Sequence, residues 1–430
     1  MKNHAKLVHW LKNKLTNPDF ISTYRTNCKD FTRTRSFTFE SLSLFIISSL
    51  QSSIQRELDR FFKAYNNILL AEQFVGQSAF SQARLKIKPE AFVELRDDSV
   101  DHFYSNYEIT KWKGFRLIAI DGSEVILPKT LNTIAYFGEY TSNLMNKTIV
   151  LARASKAYDV LNKINIDAKL VNKKIGEHTL AKQHLEYCTK GDLILYDRGY
   201  PSFDLFMKTI ATGSHFCARL AVSNWNVAKK LVESGQKEII AEIRPGKELK
   251  RKYQKEGIAI EPIKCRFVCV ELFSGEKEVL ITSLLDTVNY PYSLFKDLYH
   301  LRWDIEESYK KDKHRLQLEN FSGKTIIAIY QDFYATILLA NLTSIFSTSL
   351  GDDIDKRTQK TTHKYQLNYT TALAKVKGIV AILFTRKNIN ILINKLLQMF
   401  LSNILPIRSG RSFARVKNKR KRYHKTYLPL

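Results

Sequence analysis

The sequence predicts an α/β fold in which a central region of strands and helices is flanked by helical regions at both ends. Through residues 41–65, apolar residues recur at intervals of three and four, as on one face of a helix. Between 115 and 285 the pattern changes to short apolar runs that end at Gly, Pro or Asp, which is typical of strands. After 323, long apolar segments of helical length return.

The composition indicates a protein that binds a polyanion. The chain has 430 residues, of which 44% are hydrophobic, so it is long enough for several packed domains. A formal net charge of +26 favours nucleic acid as the partner, with an anionic membrane surface as the competitor. Because no apolar run approaches 18 residues and the first twenty residues lack a signal-peptide core, we expect a soluble, cytoplasmic protein that does not enter the membrane.

Residues 1–112 are interpreted as a helical, DNA-binding N-terminal region. Two short helices flank a break at 87–90, and the basic residues Arg84, Lys86 and Lys88 lie around it. A helix-turn-helix that contacts DNA would have this pattern. An ordinary helical hairpin with basic surface residues would have it equally, and the sequence does not separate the two.

The first part of the core is assigned to 113–213. An apolar run leads into Asp121, two strand-like runs of an antiparallel meander follow, and after a helix a second apolar run leads into Asp197. This order of elements predicts a ribonuclease H-like (RNase H-like) catalytic core. A single aspartate at a strand end is more often a turn residue. Two of them at the ends of buried runs are costly unless a cation meets them, which favours a functional acidic cluster.

A segment with no Pro or Gly, at 292–318, is predicted to form one helix with a polar stripe. At about 100° per residue, four polar residues fall within about 60° of one another. They are Tyr299, Arg302, Glu306 and Lys313, with Trp303 beside them. A solvated helix face with an Arg302–Glu306 charge pair is the alternative. If this polar stripe faced the protein interior instead, Glu306 would join Asp121 and Asp197 in one acidic cluster.

Three further regions complete the predicted organisation. A β-strand insertion at 214–291 separates Asp197 from the Glu306 helix, which belongs to a second part of the core at 292–345. The chain ends in a helical C-terminal region, 346–430, with a basic tail. We interpret this tail as a DNA-backbone contact rather than a solvated end, and its proposed contacts include Arg408, Arg411 and Arg415.

The spacing Tyr299-x2-Arg302-x3-Glu306-x6-Lys313 matches the Y-(2)-R-(3)-E-(6)-K signature of bacterial DDE transposases of the insertion sequence 4 family. The segments 121–123 (DGS) and 197–200 (DRGY) resemble the first and second aspartate motifs of that family. The resemblance extends over roughly residues 75–325, because the segment around Arg84 is also similar to the family's N-terminal part.

The resemblance implies a cut-and-paste transposase with an RNase H-like core and a β-strand insertion. Its substrates would be double-stranded DNA, namely the inverted-repeat ends of the element and the target, held by a homodimer on paired ends. Asp121, Asp197 and Glu306 would then converge on two divalent ions. An all-oxygen ligand set suits Mg²⁺ or Mn²⁺, and the lack of Cys or His argues against zinc.

The other residues of the signature have expected roles toward DNA. Arg302 and Lys313 are suited to hold phosphates, and Tyr299 could donate its hydroxyl to one. Trp303 could stack on a base of the distorted DNA end. Related hairpin-forming enzymes carry a tryptophan at the position that corresponds to Glu278. The sequence therefore leaves open whether a hairpin intermediate forms, and Trp225 could take the place of that tryptophan.

Two other functions remain open from the sequence. The protein could be an RNase H-like DNA nuclease that never joins strands, although the basic flanks and the long insertion favour a transposase. It could also be a catalytically silent, transposase-derived DNA-binding regulator. The three intact acidic residues favour an enzyme over that regulator.

Overall fold

The protein was analysed as a computed structural model that describes residues 2–33, 36–48, 53–70, 73–142, 147–272 and 275–407. The chain forms a mixed α/β fold with helical regions at both ends of the sequence, as predicted. The proposed tail contacts Arg408, Arg411 and Arg415 lie outside the described residues, so they stay a prediction.

The N-terminal region is helical because its apolar residues repeat at helical spacing. Its helices are α1 (Lys2–Thr16), α2 (Pro18–Tyr24), α3 (Phe39–Ile47), α4 (Ile54–Asn66), α5 (Gln77–Ala83) and α6 (Glu90–Asn106). Thr38 starts α3 with a capping box to Ser41. On α4 the buried residues Leu58, Phe61 and Phe62 form one face, and this face packs in an apolar core shared with the C-terminal helices.

The central region is built on one mixed sheet. Its first elements are β1 (Arg116–Leu127), α7 (Leu131–Phe137), β2 (Glu139–Ser142), β3 (Lys147–Asp159), β4 (Ile164–Asn172), α8 (Glu177–His184), β5 (Asp192–Tyr196), α9 (Phe203–Ala211) and β6 (His215–Arg219). Strand β3 pairs antiparallel with β1 on one side and with β2 and β4 on the other. Strand β5 lies between β1 and β6 and runs parallel to both. Residues 117–120 of β1 and the whole of β5 are buried on both faces, which explains their unbroken apolar runs.

The predicted insertion extends this same sheet. It contributes α10 (Asn226–Ser234), β7 (Glu238–Ile243), α11 (Lys247–Lys255), β8 (Ile263–Glu271) and β9 (Lys277–Thr282). Strand β9 pairs with β6, β8 with β9, and β7 with β8, all antiparallel. Because β6 pairs in parallel with β5, it belongs to the central sheet, and the predicted boundary at 214 falls just before a core strand.

The predicted single helix at 292–318 is two helices, α12 (Leu294–His300) and α13 (Trp303–His314). The backbone tightens at the junction, where Arg302 N donates to Tyr299 O and Ile305 N donates to Arg302 O. The expectation of one uninterrupted helix is therefore wrong. Both helices pack on one face of the sheet, in the apolar core that also contains Leu117 and Leu195.

The C-terminal elements are α14 (Ile326–Ser347), α15 (Gly351–Thr358), β10 (Tyr365–Leu367), α16 (Tyr369–Thr385), α17 (Ile389–Leu401) and β11 (Ile404–Pro406). Helix α14 packs against the sheet core and against the helical core, which explains why it is apolar all round. By length and composition alone, the segment Ile326–Thr358 is apolar enough to cross a membrane, although polar residues interrupt its apolar runs. Its most apolar window is 78% buried inside the molecule, as expected of a core helix.

His4 in α1 is a buried titratable group of the helical core. It is 1% exposed, and its Nδ1 forms a 2.7 Å hydrogen bond with the Tyr107 hydroxyl. Burial lowers the pKa of His4 to about 4. Between pH 6.5 and 4, His4 is therefore protonated in the unfolded chain but neutral in the folded protein. The free energy of unfolding should fall as the pH falls through this window.

Because each pKa unit corresponds to about 1.4 kcal/mol, His4 should lower the unfolding free energy of the wild type by about 3 kcal/mol between pH 7 and pH 4. We expect the His4→Gln variant to lack this decrease. Urea unfolding at several pH values measures this. His363→Gln, at an exposed histidine, is the control and should keep the wild-type profile. Equal pH profiles for the wild type and His4→Gln would contradict the prediction.

Candidate active site

Asp121 and Asp197 lie next to each other at one edge of the parallel strand pair. The pairing of β1 with β5 ends where Ile120 lies opposite Tyr196. Asp121 directly follows Ile120, and Asp197 directly follows Tyr196. The residues two and four positions before each aspartate belong to the apolar core under α12 and α13. Since side chains alternate along a strand, both carboxylates are directed toward these helices. Asp121 itself does not end its strand, because β1 continues along β3 to Leu127.

Arg302 links the second aspartate to the acidic residue of α13. Its side chain is 2% exposed and lies at the junction of the two helices. Nη2 donates to Glu306 Oε1 at 2.8 Å, and Nε lies 3.8 Å from Asp197 Oδ1. Among the described residues, Nε and Nη1 have no hydrogen-bond acceptor. The site thus contains a buried guanidinium between two carboxylates, with donor capacity left over.

Two further side chains hold Asp197. The Tyr299 hydroxyl donates to Asp197 Oδ1 at 3.2 Å, and Arg219 Nη2 donates to the same oxygen at 3.2 Å. Burial acts to raise the pKa of Asp197, but the backbone N–H of Arg198 and the guanidinium groups of Arg302 and Arg219 outweigh it and lower the pKa. Asp197 is therefore held as a carboxylate.

Asp121 is in the opposite electrostatic situation. Its pKa is raised to about 7, chiefly by burial, and the charges of Asp197 and Glu306 raise it further, against the Gly122 N–H and Arg302. The three acidic side chains therefore lie close enough to act on one another. A cation entering beside Asp121 would favour its ionised form.

The three acidic residues have the right ligand atoms for a divalent ion, but their side chains are not arranged around one ion in this structure. Their donors are all carboxylate oxygens, the type that Mg²⁺ and Mn²⁺ prefer. Among the described residues, no group of three or more acidic, His or Cys side chains is close enough to hold one ion. Glu306 is turned toward Arg302 and is 28% exposed, so the expected convergence of all three carboxylates is not present.

The remaining residues of the signature lie along α13. The Lys313 ammonium donates to Glu124 O of β1 and lies 3.8 Å from Glu319 Oε1. The guanidinium carbon of Arg302 lies 5.2 Å from the centre of the Trp303 ring, a cation–π distance. The side chains at 299, 302 and 306 are thus joined around Asp197, while Lys313 reaches β1 beyond Asp121.

Strand β6 of the central sheet contributes a residue that the sequence interpretation did not use. Arg219 on β6 donates to Glu278 Oε1 at 2.6 Å as well as to Asp197. Glu278 is therefore linked to Asp197 through Arg219, by two ion pairs. Trp225 packs against the apolar core on the other face of the sheet. An arginine inside the apolar run of β6 was the signal that could have identified this contact.

Two more contacts connect α13 to the strands beneath it. The Tyr309 hydroxyl donates to Asp121 O at 2.9 Å and to Ala154 O at 3.3 Å. Lys156 is opposite Asp121 in the register of β3 and forms a fully buried ion pair with Asp312. In the sequence this pair was indicated by a lysine within the apolar run of β3 and by an aspartate on the inner face of α13, which the sequence interpretation did not use.

Arg84 does not lie where a DNA contact would be made. It is 2% exposed, and it donates to Gln331 Oε1 at 2.9 Å and to Asp332 Oδ1 at 2.7 Å on α14. The N–H donors of this buried guanidinium are bound by acceptors inside the protein and are not accessible to DNA. The interpretation of Arg84 as a DNA contact is therefore wrong. Lys86 is half-buried and Lys88 is exposed, with its ammonium donating to Thr23 O at 2.9 Å.

We expect Arg84→Lys to lower the free energy of unfolding by about 2 kcal/mol, because an ammonium cannot reproduce the forked contacts to Gln331, Asp332 and Ala328 O. DNA affinity of the folded variant should be unchanged. Urea unfolding and a DNA-binding titration measure the two effects. A normal unfolding free energy with weakened DNA binding would restore the contact role.

Comparisons with known proteins identify the family of this chain. Residues 112–342 match the family model described as "Transposase DDE domain". The transposase InsG for insertion sequence element IS4 of Escherichia coli (strain K12) is 23% identical over 271 residues, which are 63% of this chain. The chain matches 60% of the length of that relative.

A solved structure is also similar. It is the cryo-EM structure of piggyBac transposase in a synaptic complex with hairpin DNA, with a TM-score of 0.46 and 12% sequence identity. The similarity covers 98% of this chain and 91% of that one. The family match covers more than half of the chain and includes both aspartates and Glu306. The chain therefore belongs to the transposase DDE domain family, and the predicted resemblance to the insertion sequence 4 transposases is confirmed.

Proposed function

We propose that the protein is a metal-dependent transposase that binds the terminal inverted repeats of an insertion sequence, cleaves the DNA ends and joins them to target DNA. One observation carries the proposal. Asp121 and Asp197 stand side by side at the end of the β1–β5 pair, and Arg302 connects Asp197 to Glu306 on the helix above them. The strand order β4-β3-β1-β5-β6 supports the further proposal of an RNase H-like core.

Asp121, Asp197 and Glu306 are the proposed catalytic residues and the proposed ligands of two divalent ions, Mg²⁺ or Mn²⁺. When bound, such ions activate the attacking hydroxyl or water and stabilise the leaving oxygen of the phosphodiester. Arg302 now donates to Glu306, and its unused donors suit a phosphate oxygen of the DNA.

The other proposed DNA contacts surround these carboxylates. Tyr299 and Lys313 are proposed to hold the DNA backbone, and Trp303 to stack on a base displaced from the DNA end. Weaker contacts are proposed for Lys86 and Lys88 and for the tail residues Arg408, Arg411 and Arg415. Two copies of the chain on paired ends would form the assembly in which both ends are cut.

Incubation of the protein with Mg²⁺ and the repeat DNA that flanks its gene tests the proposal. A transposase yields cleaved ends joined to a target plasmid, detected by gel electrophoresis and sequencing of the junctions. Cleavage without joining would indicate a nuclease, and a mobility shift without cleavage would indicate a DNA-binding regulator. Either of these outcomes would overturn the proposal. A parallel reaction with EDTA is the control for the metal requirement.

A further inference from the structure

Helix α11 is a basic, exposed element that the proposed active site does not use. Its sequence is KELKRKYQK, with five cations and one acidic residue in Lys247–Lys255. The helix connects β7 to β8 within the insertion. A charged helix of this kind is often only solvated, so its orientation decides whether it can serve as a binding surface.

The two inward-facing residues of α11 fix that orientation. Tyr253 is 3% exposed, and Leu249 packs against the apolar core on the face of the sheet opposite α13. With Lys247 set at zero and about 100° per residue, these two residues fall at about 200° and 240°. The outward arc, from about 300° to 80°, carries four exposed cations. They are Lys247, Lys250, Arg251 and Lys255.

Of the two acidic residues of the segment, Glu248 is exposed and borders the outward arc beside Lys255, and Glu256 lies toward the inward side. By the same spacing, Glu248 falls at about 100° and Glu256 at about 180°. Glu256 lies 4.0 Å from Lys252, which is a cation outside the outward arc. Within the part of the chain that the structure describes, none of the four outward cations has a carboxylate within ion-pair distance. They form a positive surface, bordered on one side by Glu248, that is called the α11 face below.

Contacts at the start of α9 place the α11 face near the catalytic edge of the sheet. The Tyr253 hydroxyl donates to Asp204, which also pairs with Lys182 of α8. Asp204 is in the first turn of α9, the helix that follows the loop leaving Asp197. Because parallel strands present their carboxyl ends at one edge, α11 is tied to the same edge as the two aspartates, on the other face of the sheet.

We propose that the α11 face binds the phosphate backbone of duplex DNA next to the stretch that enters the active site. This inference rests on the proposed function and adds a contact surface to it. Four cations spaced along one helix face suit the regular phosphates of a duplex and carry no base-reading geometry, so the contact should be independent of sequence. Tyr253 and Asp204 act as positioning residues for this surface.

The test compares two triple variants of the full chain that lose the same charge. Lys250→Gln/Arg251→Gln/Lys255→Gln removes most of the α11 face. Lys356→Gln/Lys360→Gln/Lys387→Gln removes three exposed cations from the C-terminal helical region. Equilibrium binding to a duplex of unrelated sequence is measured at several salt concentrations, and thermal unfolding checks that both variants are folded.

We expect the α11 variant to lose about 2 to 3 units from the slope of log affinity against log salt, since each phosphate contact contributes about 0.9. The control variant should keep the wild-type slope. Equal slopes for the α11 variant and the wild type would show a solvated helix and overturn the inference alone. Equal losses in both variants would also overturn it, because net charge would then be the cause. If the wild type binds no DNA, the proposed function fails and the inference fails with it.

Discussion

Replacing Asp121 or Asp197 by Asn, or Glu306 by Gln, is expected to slow cleavage of the transposon ends by about a thousandfold or more. A carboxylate that holds a catalytic ion supports several kcal/mol of transition-state stabilisation, and about 4 kcal/mol corresponds to that factor. The amide has nearly the same shape but no charge. Binding to end DNA should stay within about threefold of the wild type, because the proposed DNA contacts are made by other residues, most of them cations. Single-turnover cleavage with Mg²⁺ and a mobility-shift titration measure the two effects.

Glu307→Gln is the matched control for this experiment. Glu307 follows Glu306 on α13, is about half exposed and pairs with Lys310 on the same helix. Its replacement should leave cleavage near the wild-type rate. A cleavage rate within tenfold of the wild type for any of the three site variants would remove that residue from the catalytic group. Glu306 is the sharpest case, because it now faces Arg302.

The strands of the core could be predicted because central strands covered on both faces are apolar throughout. Every predicted strand run from 115 to 285 corresponds to a strand of the sheet. The position of Asp121 was less accurate, because β1 continues past the aspartate along β3 with a half-polar pattern that resembles a turn. Helices α10 and α11 were missed, since each is short and is stabilised by packing on the sheet more than by its own sequence.

The polar residues of the site could be predicted only in part. The signature spacing named Tyr299, Arg302 and Glu306. In the structure Tyr299 and Arg302 contact Asp197, and Glu306 is linked to it through Arg302. Spacing carries no information about partners that are distant in the chain. Arg219 and Arg84 show this, because both are arginines in apolar surroundings, yet one meets Asp197 and the other is enclosed by α14.

Lys156→Met is expected to lower the free energy of unfolding by about 3 to 5 kcal/mol, the usual cost of removing one partner of a buried ion pair. Lys156 and Asp312 are 0% and 4% exposed at their side chains, and their contact ties β3 to α13. Without the ammonium, Asp312 is left as a buried carboxylate that has lost its ion-pair partner. Urea unfolding with linear extrapolation measures the loss.

A pair on the same helix distinguishes burial from charge. Lys310 and Glu307 are 59% and 52% exposed, so Lys310→Met should cost at most about 0.5 kcal/mol. The double variant Lys156→Met/Asp312→Leu should recover most of the lost stability, because two apolar side chains of similar size leave no unpaired charge. If Lys156→Met costs no more than Lys310→Met, the buried pair is not what holds α13 on the sheet. If the double variant is as unstable as the single one, the loss comes from the contact of the Lys156 ammonium with the Tyr309 ring, 4.6 Å away, and not from the charge left on Asp312.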